Sequence, residues 1–306
     1  MSSEAVQYDP NNIPSESCIK YLGYSAGPYH YRPSLAAGIV FCVLFGASLT
    51  AHAIQAYRAR RWWQYTFAVG AAAELIGWAG RSWSWQCPYQ TTPFLMQIST
   101  LIFAPAFFTA GTYVILGRLI KLFGPGVSPI AASTYLYIFV SIDVVSLVMQ
   151  AVGGGIAASA LSDSSASIAP GNDAMIAGIV FQLASILVFS LLAGYVIYRA
   201  KKLQIAALDN SKVRWVISAT AFSVLCVVIR GIYRTIEMLE GWRGYLITTQ
   251  RYFIVLDGCL MILAVAVFNV INPGWSEGAT TWSSRRFSAD DMEKGPVEQS
   301  VVSESE

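Results

Sequence analysis

Charge is what this chain of 306 residues has least of: Asp, Glu, Lys and Arg make up 12% of it, against about a quarter of an ordinary soluble domain. With 55% hydrophobic residues alongside, that balance implies a polytopic membrane protein. Histidine is scarcer still. His30 and His52 are the whole supply, so no H-E-x-x-H or other zinc spacing is possible and no metal is expected. No G-x-x-x-x-G-K-[ST] loop occurs, which excludes a pump driven by its own nucleotide site. A G-x-S-x-G elbow is missing as well, and the last apolar run has no lysine to carry a retinal Schiff base. Neither catalysis nor a cofactor is expected. The net charge of +2 comes from basic residues scattered through short loops rather than gathered on one face, so nothing speaks for nucleic acid.

Five cysteines are too few and too scattered for a metal cluster or a disulfide framework. Cys42, Cys226 and Cys259 lie within apolar runs, where a buried thiol behaves as a small hydrophobe. Cys18 and Cys87 fall in segments read as lying outside the membrane, where they either form a disulfide or stay free. Residues 1–32 lack the basic start, apolar core and small-residue cleavage site of a signal peptide, so the first span is expected to act as an uncleaved anchor. No N-x-Ser/Thr sequon is present.

What is present is a series of apolar runs. Pro33 opens the first, to about Ala56; others follow at Gln64 to Trp83, Pro93 to Gly117, Thr134 to Ala157 and Ala174 to Tyr198. ISATAFSVLCVVI and GCLMILAVAVF supply the last two, ending at Asn272-Pro273. Basic residues follow the first, third and fifth runs: Arg58, Arg60 and Arg61; Arg118 and Lys121; Arg199, Lys201, Lys202, Lys212 and Arg214. The intervening linkers hold almost none. By the positive-inside rule this predicts an all-α bundle of seven transmembrane helices, N-terminus outside and C-terminus cytoplasmic. The chain then divides into an extracellular segment, 1–32, a transmembrane domain, 33–272, and a polar, Ser-rich cytoplasmic tail, 273–306, that reads as disordered.

Against so apolar a background the few charges stand out, and an ionisable residue inside a membrane span is a functional-site hypothesis by default. Arg230, Arg234 and Glu237 fall at i, i+4 and i+7 on one helix face, and Asp257 follows near the start of the next run. Because a short linker joins those runs, Asp257 and Arg230 should meet at one depth and pair. Glu74 and Arg81 stand two turns apart, as do Asp143 and Gln150, and Gln182 lies on the fifth run. Asp143 has no basic neighbour on its own helix, so its partner is one of the three arginines, a proton or a ligand. Pro105, among Ala104, Ala106 and Ala110, marks a hinge or a static kink. Counted from the loops, Glu74 and Asp143 lie near mid-bilayer and the rest in the outer half. That predicts a polar cavity open toward the outside, with the inner half closed by apolar packing.

In their order along the chain these motifs resemble one family. They are Glu74-x-x-Gly77-x-x-x-Arg81, Ala104-Pro105 with Tyr113 and Arg118, Asp143 through Gln150 to Gly153-Gly154-Gly155, Gly178 to Gln182, Arg230-x-x-x-Arg234-x-x-Glu237, and Gly244 to Asp257. The family is the fungal lipid-translocating exporters, seven-span proteins named for resistance to 7-aminocholesterol, and the resemblance covers about residues 30 to 272. Two departures are Trp78, where the family often has Tyr, and Gln250, where a Glu is usual. The resemblance implies a protein of the plasma membrane, or in some members of internal membranes, linked to stress and toxicant resistance, that moves sphingoid long-chain bases, sterol-like compounds or porphyrins.

The first functional reading is therefore a transporter of lipid-like amphiphiles. Its candidate contacts are Glu74, Asp143, Gln150, Gln182, Arg230, Arg234, Glu237 and Asp257, and its partners are membrane lipids. The alternative is a seven-span receptor or stress sensor using the same outward cavity. Against it, Arg118 is not preceded by the acidic residue of an acidic-Arg-aromatic switch, and Asn272-Pro273 is followed by Gly-Trp.

Overall fold

The computed structural model describes residues 18–19, 21, 28–124, 126–162, 167–241 and 244–274. Those residues form helices joined by short turns. In chain order they are α1 (Leu35–Ala59), α2 (Tyr65–Gln86), α3 (Thr91–Phe123), α4 (Ala132–Ser162), α5 (Ala169–Lys202) and α6 (Ser211–Glu240), then the single turn α7 (Tyr245–Thr248) and α8 (Gln250–Val270). Local chemistry sets several of the ends. The Ser34 hydroxyl caps α1 by accepting from the Ala37 N–H, and Asn210 caps α6 by accepting from Lys212. Gly241, at φ 77°, takes a positive-φ conformation that favours glycine where α6 stops.

Six of the helices, α1, α3, α4, α5, α6 and α8, are long and apolar enough to cross a membrane. The expected second span, α2, is the exception. Its 22 residues include Glu74, Arg81 and several Ser, Gln and Trp, which lower its hydropathy although its length suffices. Large apolar side chains such as Val43, Val148, Leu191 and Leu225 stand exposed around the bundle. In water they would be a liability; against lipid tails they are at home. The chain is a multi-pass helical membrane protein.

Neighbours in sequence pack as neighbours in space, and α8 closes the ring by lying against α6 and α1. The centre belongs to α3, which touches α2, α4, α5, α6 and α8 and is 61% buried within the bundle, against 28% for α1 or α4. The two ends of the bundle differ. At one, Gln55 donates to the Asn269 carbonyl at 2.9 Å, Gln64 to Asn272 at 3.0 Å and Arg199 to the Gly126 carbonyl at 2.9 Å; this is the basic end. At the other, Cys18 and Cys87 are joined by a disulfide, with Cα atoms 4.7 Å apart. Beside it the Tyr29 hydroxyl donates to Gln97 at 2.7 Å and lies 3.0 Å from Ser84.

Small residues let α4 and α5 approach closely. A Cβ on Gly178 would lie 2.7 Å from Gln150 and 2.9 Å from the Ser146 carbonyl, so only glycine fits. Toward the basic end the expected apolar closure is incomplete. A crevice of about 380 Å³ opens among α3, α5 and α6, bordered by Leu116, Phe189, Gly194 and Val224. Small residues on α5, Ala193 and Gly194, leave this space unfilled. The tail expected to be disordered lies almost wholly beyond residue 274, outside the described residues.

Candidate functional site

The site grows from α6, where the heptad-like spacing puts Arg230, Tyr233, Arg234 and Glu237 on its buried side. Arg234 donates to Glu237 at 2.8 Å, and the Tyr233 hydroxyl donates to the other Glu237 oxygen, also at 2.8 Å. Across from them α8 opens into a π-helical segment, Phe253–Cys259, which carries Asp257. Wider turns of this kind re-aim side chains and recur at functional sites. Here Asp257 Oδ1 accepts from Arg234 Nε at 3.1 Å and lies 2.8 Å from Arg230 Nε. That second contact is a close ion pair rather than an aligned hydrogen bond, since the Arg230 N–H does not point along the line to the oxygen. Asp257 is fully buried.

Arg230 has another task, legible only in three dimensions. A proline has no N–H, so Pro105 leaves the carbonyl of Leu101, four residues back, without its helical donor. Arg230 Nη2 supplies one at 2.6 Å. One guanidinium thereby ties α6 to the proline step of α3 and to Asp257 of α8. An orphaned carbonyl in hydrocarbon would cost several kcal/mol, roughly, and the arginine removes that cost. Through Pro105 the helix α3 stays continuous.

Glu74 on α2 is fully buried beside this cluster; among the described residues neither carboxyl oxygen has an aligned hydrogen bond, and the Trp78 side chain is its nearest donor. It feels the charges of Asp257, Arg230 and Arg234. Its sequence neighbour Arg81 belongs to a different group. Arg81 is 1% exposed and donates to the Tyr31 hydroxyl at 2.8 Å and to Gln97 at 3.4 Å, with its guanidinium 4.4 Å from the Phe253 ring centre. Phe253 also lies 5.3 Å from Arg234, so one ring adjoins both guanidiniums. In the segment before α1, burial pushes the Tyr29 hydroxyl up to about 12, against the opposing pull of Arg81.

On the far side of α3, Asp143 is buried on α4 and forms no ion pair among the described residues. One of its oxygens, Oδ2, accepts from the Thr109 and Tyr113 hydroxyls, each at 3.0 Å; Oδ1 has no hydrogen-bond partner. Two turns along α4, Gln150 donates to Gln182 of α5 at 3.1 Å. Between these groups lies a cavity of about 40 Å³, bordered by Asp143, Gln150, Gln182, Arg230 and Arg234, with Pro105 on its α3 wall. Glu74, Glu237 and Asp257 stand behind the arginines and do not border it. No group of three or more His, Cys, Asp or Glu among the described residues could hold a metal ion.

Thr109, Tyr233 and the Leu101 carbonyl are members of the site that sequence reasoning missed, and Tyr113 was singled out only as part of the family motif. Pro105, Thr109 and Tyr113 recur at four-residue steps on one face of α3, and that spacing was a usable signal. The Leu101 carbonyl had a signal too, four residues before the proline. For Arg81 the aromatic surroundings come from segments far apart in sequence, and no local pattern announces them.

A lipid-facing bundle around a central helix, with a small cavity where a few polar side chains meet apolar walls, defines a multi-pass helical membrane protein. The RTA1 like protein family model matches residues 67–279, and the chain belongs to that family. It is similar to the sphingoid long-chain base transporter RSB1 of Saccharomyces cerevisiae, 31% identical over 278 residues, which cover 80% of this chain and 72% of that one. Protoporphyrin uptake protein 1 of the same yeast is 29% identical over 280 residues, 79% of this chain and 90% of its own. Protein RTA1 is 26% identical over 314 residues, 91% and 98% of the two chains. No solved structure matches the chain significantly.

Proposed function

We propose that this protein moves lipid-like amphiphiles across the bilayer, sphingoid long-chain bases first among them. The head group passes through the cavity between α3, α4, α5 and α6 while the chain stays in lipid. The cavity is the observation that carries the reading. Packing alone gives a membrane bundle no reason to gather Asp143, Gln150, Gln182, Arg230 and Arg234 around one space. A charged head group in bare hydrocarbon costs several kcal/mol, roughly, and a polar passage lowers that barrier. Substrate contact falls to Asp143, Gln150, Gln182, Arg230 and Arg234, with Pro105 as the hinge, while Glu74, Glu237 and Asp257, also expected as contacts, stand behind the arginines as their charge partners. The named activities of the relatives, transport of sphingoid bases and uptake of a porphyrin, both concern amphiphiles.

In this reading α2 is a seventh span. Its two charged residues, Glu74 and Arg81, are buried within the bundle rather than turned to lipid, so it tolerates a lower hydropathy. The basic end is cytoplasmic and the disulfide end extracellular, in keeping with the positive-inside rule and with an oxidising exterior. The N-terminus is then outside and the C-terminus inside, in the plasma membrane of a fungal cell, where the protein serves resistance to stress and toxic lipids.

The test is a transbilayer assay with the purified protein alone in liposomes, offering a labelled sphingoid base and a labelled phospholipid side by side. The base should cross faster than in empty liposomes. No acceleration for either lipid, together with ligand-dependent recruitment of cytosolic proteins, would replace transport with the receptor reading.

A further inference from the structure

The cavity's carboxylates are not equivalent. Asp257 already serves two guanidiniums, and Glu237 is taken by Arg234 and Tyr233. Glu74 does not border the cavity. Asp143 borders it, is 4% exposed, and pairs with no cation among the described residues. The Thr109 and Tyr113 hydroxyls converge on Oδ2 and hold the group in one orientation, so Oδ1, itself buried, is the acceptor left unpaired among the described residues. A buried carboxylate left with a bare oxygen and no counter-charge is costly, and a cation entering the cavity removes that cost. The guanidiniums on the opposite wall do not repel it strongly, because each is neutralised by Asp257 or Glu237.

Size and donor count narrow the cation. About 40 Å³ is room for roughly three waters. A primary ammonium is about that small and offers three N–H donors, as a lysine head does. A trimethylammonium is bulkier and offers none.

The cavity also has a sideways exit. An apolar groove of about 300 Å³ runs between α3 and α4, and Ile98, Ile102 and Gln150 border both it and the cavity. On α3 it extends from Phe94 to Phe103, about 14 Å at 1.5 Å per residue. On α4 its wall is of small residues, Ala151, Gly154, Gly155 and Ala158 among them, and a Cβ built on Gly155 meets nothing within 4 Å. Resting on the transport reading above, we propose that Asp143 binds the primary ammonium of the amphiphile. Its alkyl chain leaves past Gln150, along the α3–α4 groove, into the bilayer.

Equilibrium binding to the purified protein in lipid nanodiscs tests this with three probes: a labelled sphingoid base, its N-acetyl derivative and its N-trimethyl derivative. The unmodified base should bind at least about tenfold tighter than the other two, the size of one hydrogen bond to a charged group. Asp143→Asn should bind all three alike, and Asp143→Glu should keep the preference. Gly155→Leu should weaken the long-chain base and spare a short-chain homologue. A preference for the free amine that survives in Asp143→Asn overturns the seat, as does a wild-type protein indifferent to the amine's substitution. If Asp143→Asn does not fold, the wild-type preference, Asp143→Glu and Gly155→Leu still decide. Binding that follows this pattern in a protein that moves no lipid in liposomes keeps the seat and rejects transport; movement without the pattern does the reverse.

Discussion

Replacing Asp257 with Asn removes the one carboxylate that two buried guanidiniums share. Arg230 then keeps only the Leu101 carbonyl, and Arg234 keeps Glu237. Stranding a charge in a buried pair costs about 3–5 kcal/mol, and the fallback partners put Asp257→Asn toward the middle of that range. Arg230→Gln should cost somewhat less on the ionic side, because Asp257 retains Arg234 at 3.1 Å. It also withdraws the donor from the Leu101 carbonyl, an unmet buried group worth about 1–3 kcal/mol. In the double mutant no charge is stranded by the other's loss, so about 1–3 kcal/mol of the summed defects should return. Unfolding of the four proteins in detergent, with lipid movement measured on the same preparations, gives the cycle. If the single defects add to within about 0.5 kcal/mol, the two residues are not coupled, and Arg230 is held by the α3 carbonyl alone.

Further expectations concern the proline, the disulfide and the topology. Pro105→Ala restores an N–H that competes with Arg230 for the Leu101 carbonyl; α3 should become more stable and lipid movement should fall severalfold, whereas unchanged transport would remove the hinge. The Cys18–Cys87 bond spans 69 residues of sequence, and its reduction should cost about 2–4 kcal/mol of stability; peptide mapping that finds both thiols alkylated without a reductant would contradict the bond. Tags at the N-terminus and within residues 159–173 should be reachable from outside intact cells, and a tag within 201–212 should not. Reversed access would invert the bundle and turn the cavity inward.

Much of this architecture follows from local chemistry and was therefore readable in the chain. Apolar runs, basic loops and glycine stops depend on near neighbours, which is why the ends of α1 fall within a few residues of expectation. The meeting of Asp257 with Arg230 was accessible because a short linker forces their helices antiparallel. The separation of Glu74 from Arg81 was not, since equal helical phase does not fix which neighbouring helix each side chain meets. The Arg230 link to Leu101 required knowing that α6 passes the proline step of α3. Hydropathy leaves α2 below the other six helices because of residues such as Glu74 and Arg81, and an average along the chain does not register that these are buried within the bundle.

The central claim is that the amphiphile's head enters the cavity of α3 to α6, and photocrosslinking reads its position directly. A sphingoid base with a photoreactive group near its amine, bound in nanodiscs and mapped by mass spectrometry, should label residues around Asp143, Gln150 and Ile102. Excess unlabelled base should prevent that labelling. Adducts confined to the apolar crevice near Phe189 and Val224, with none at the cavity, would contradict the account.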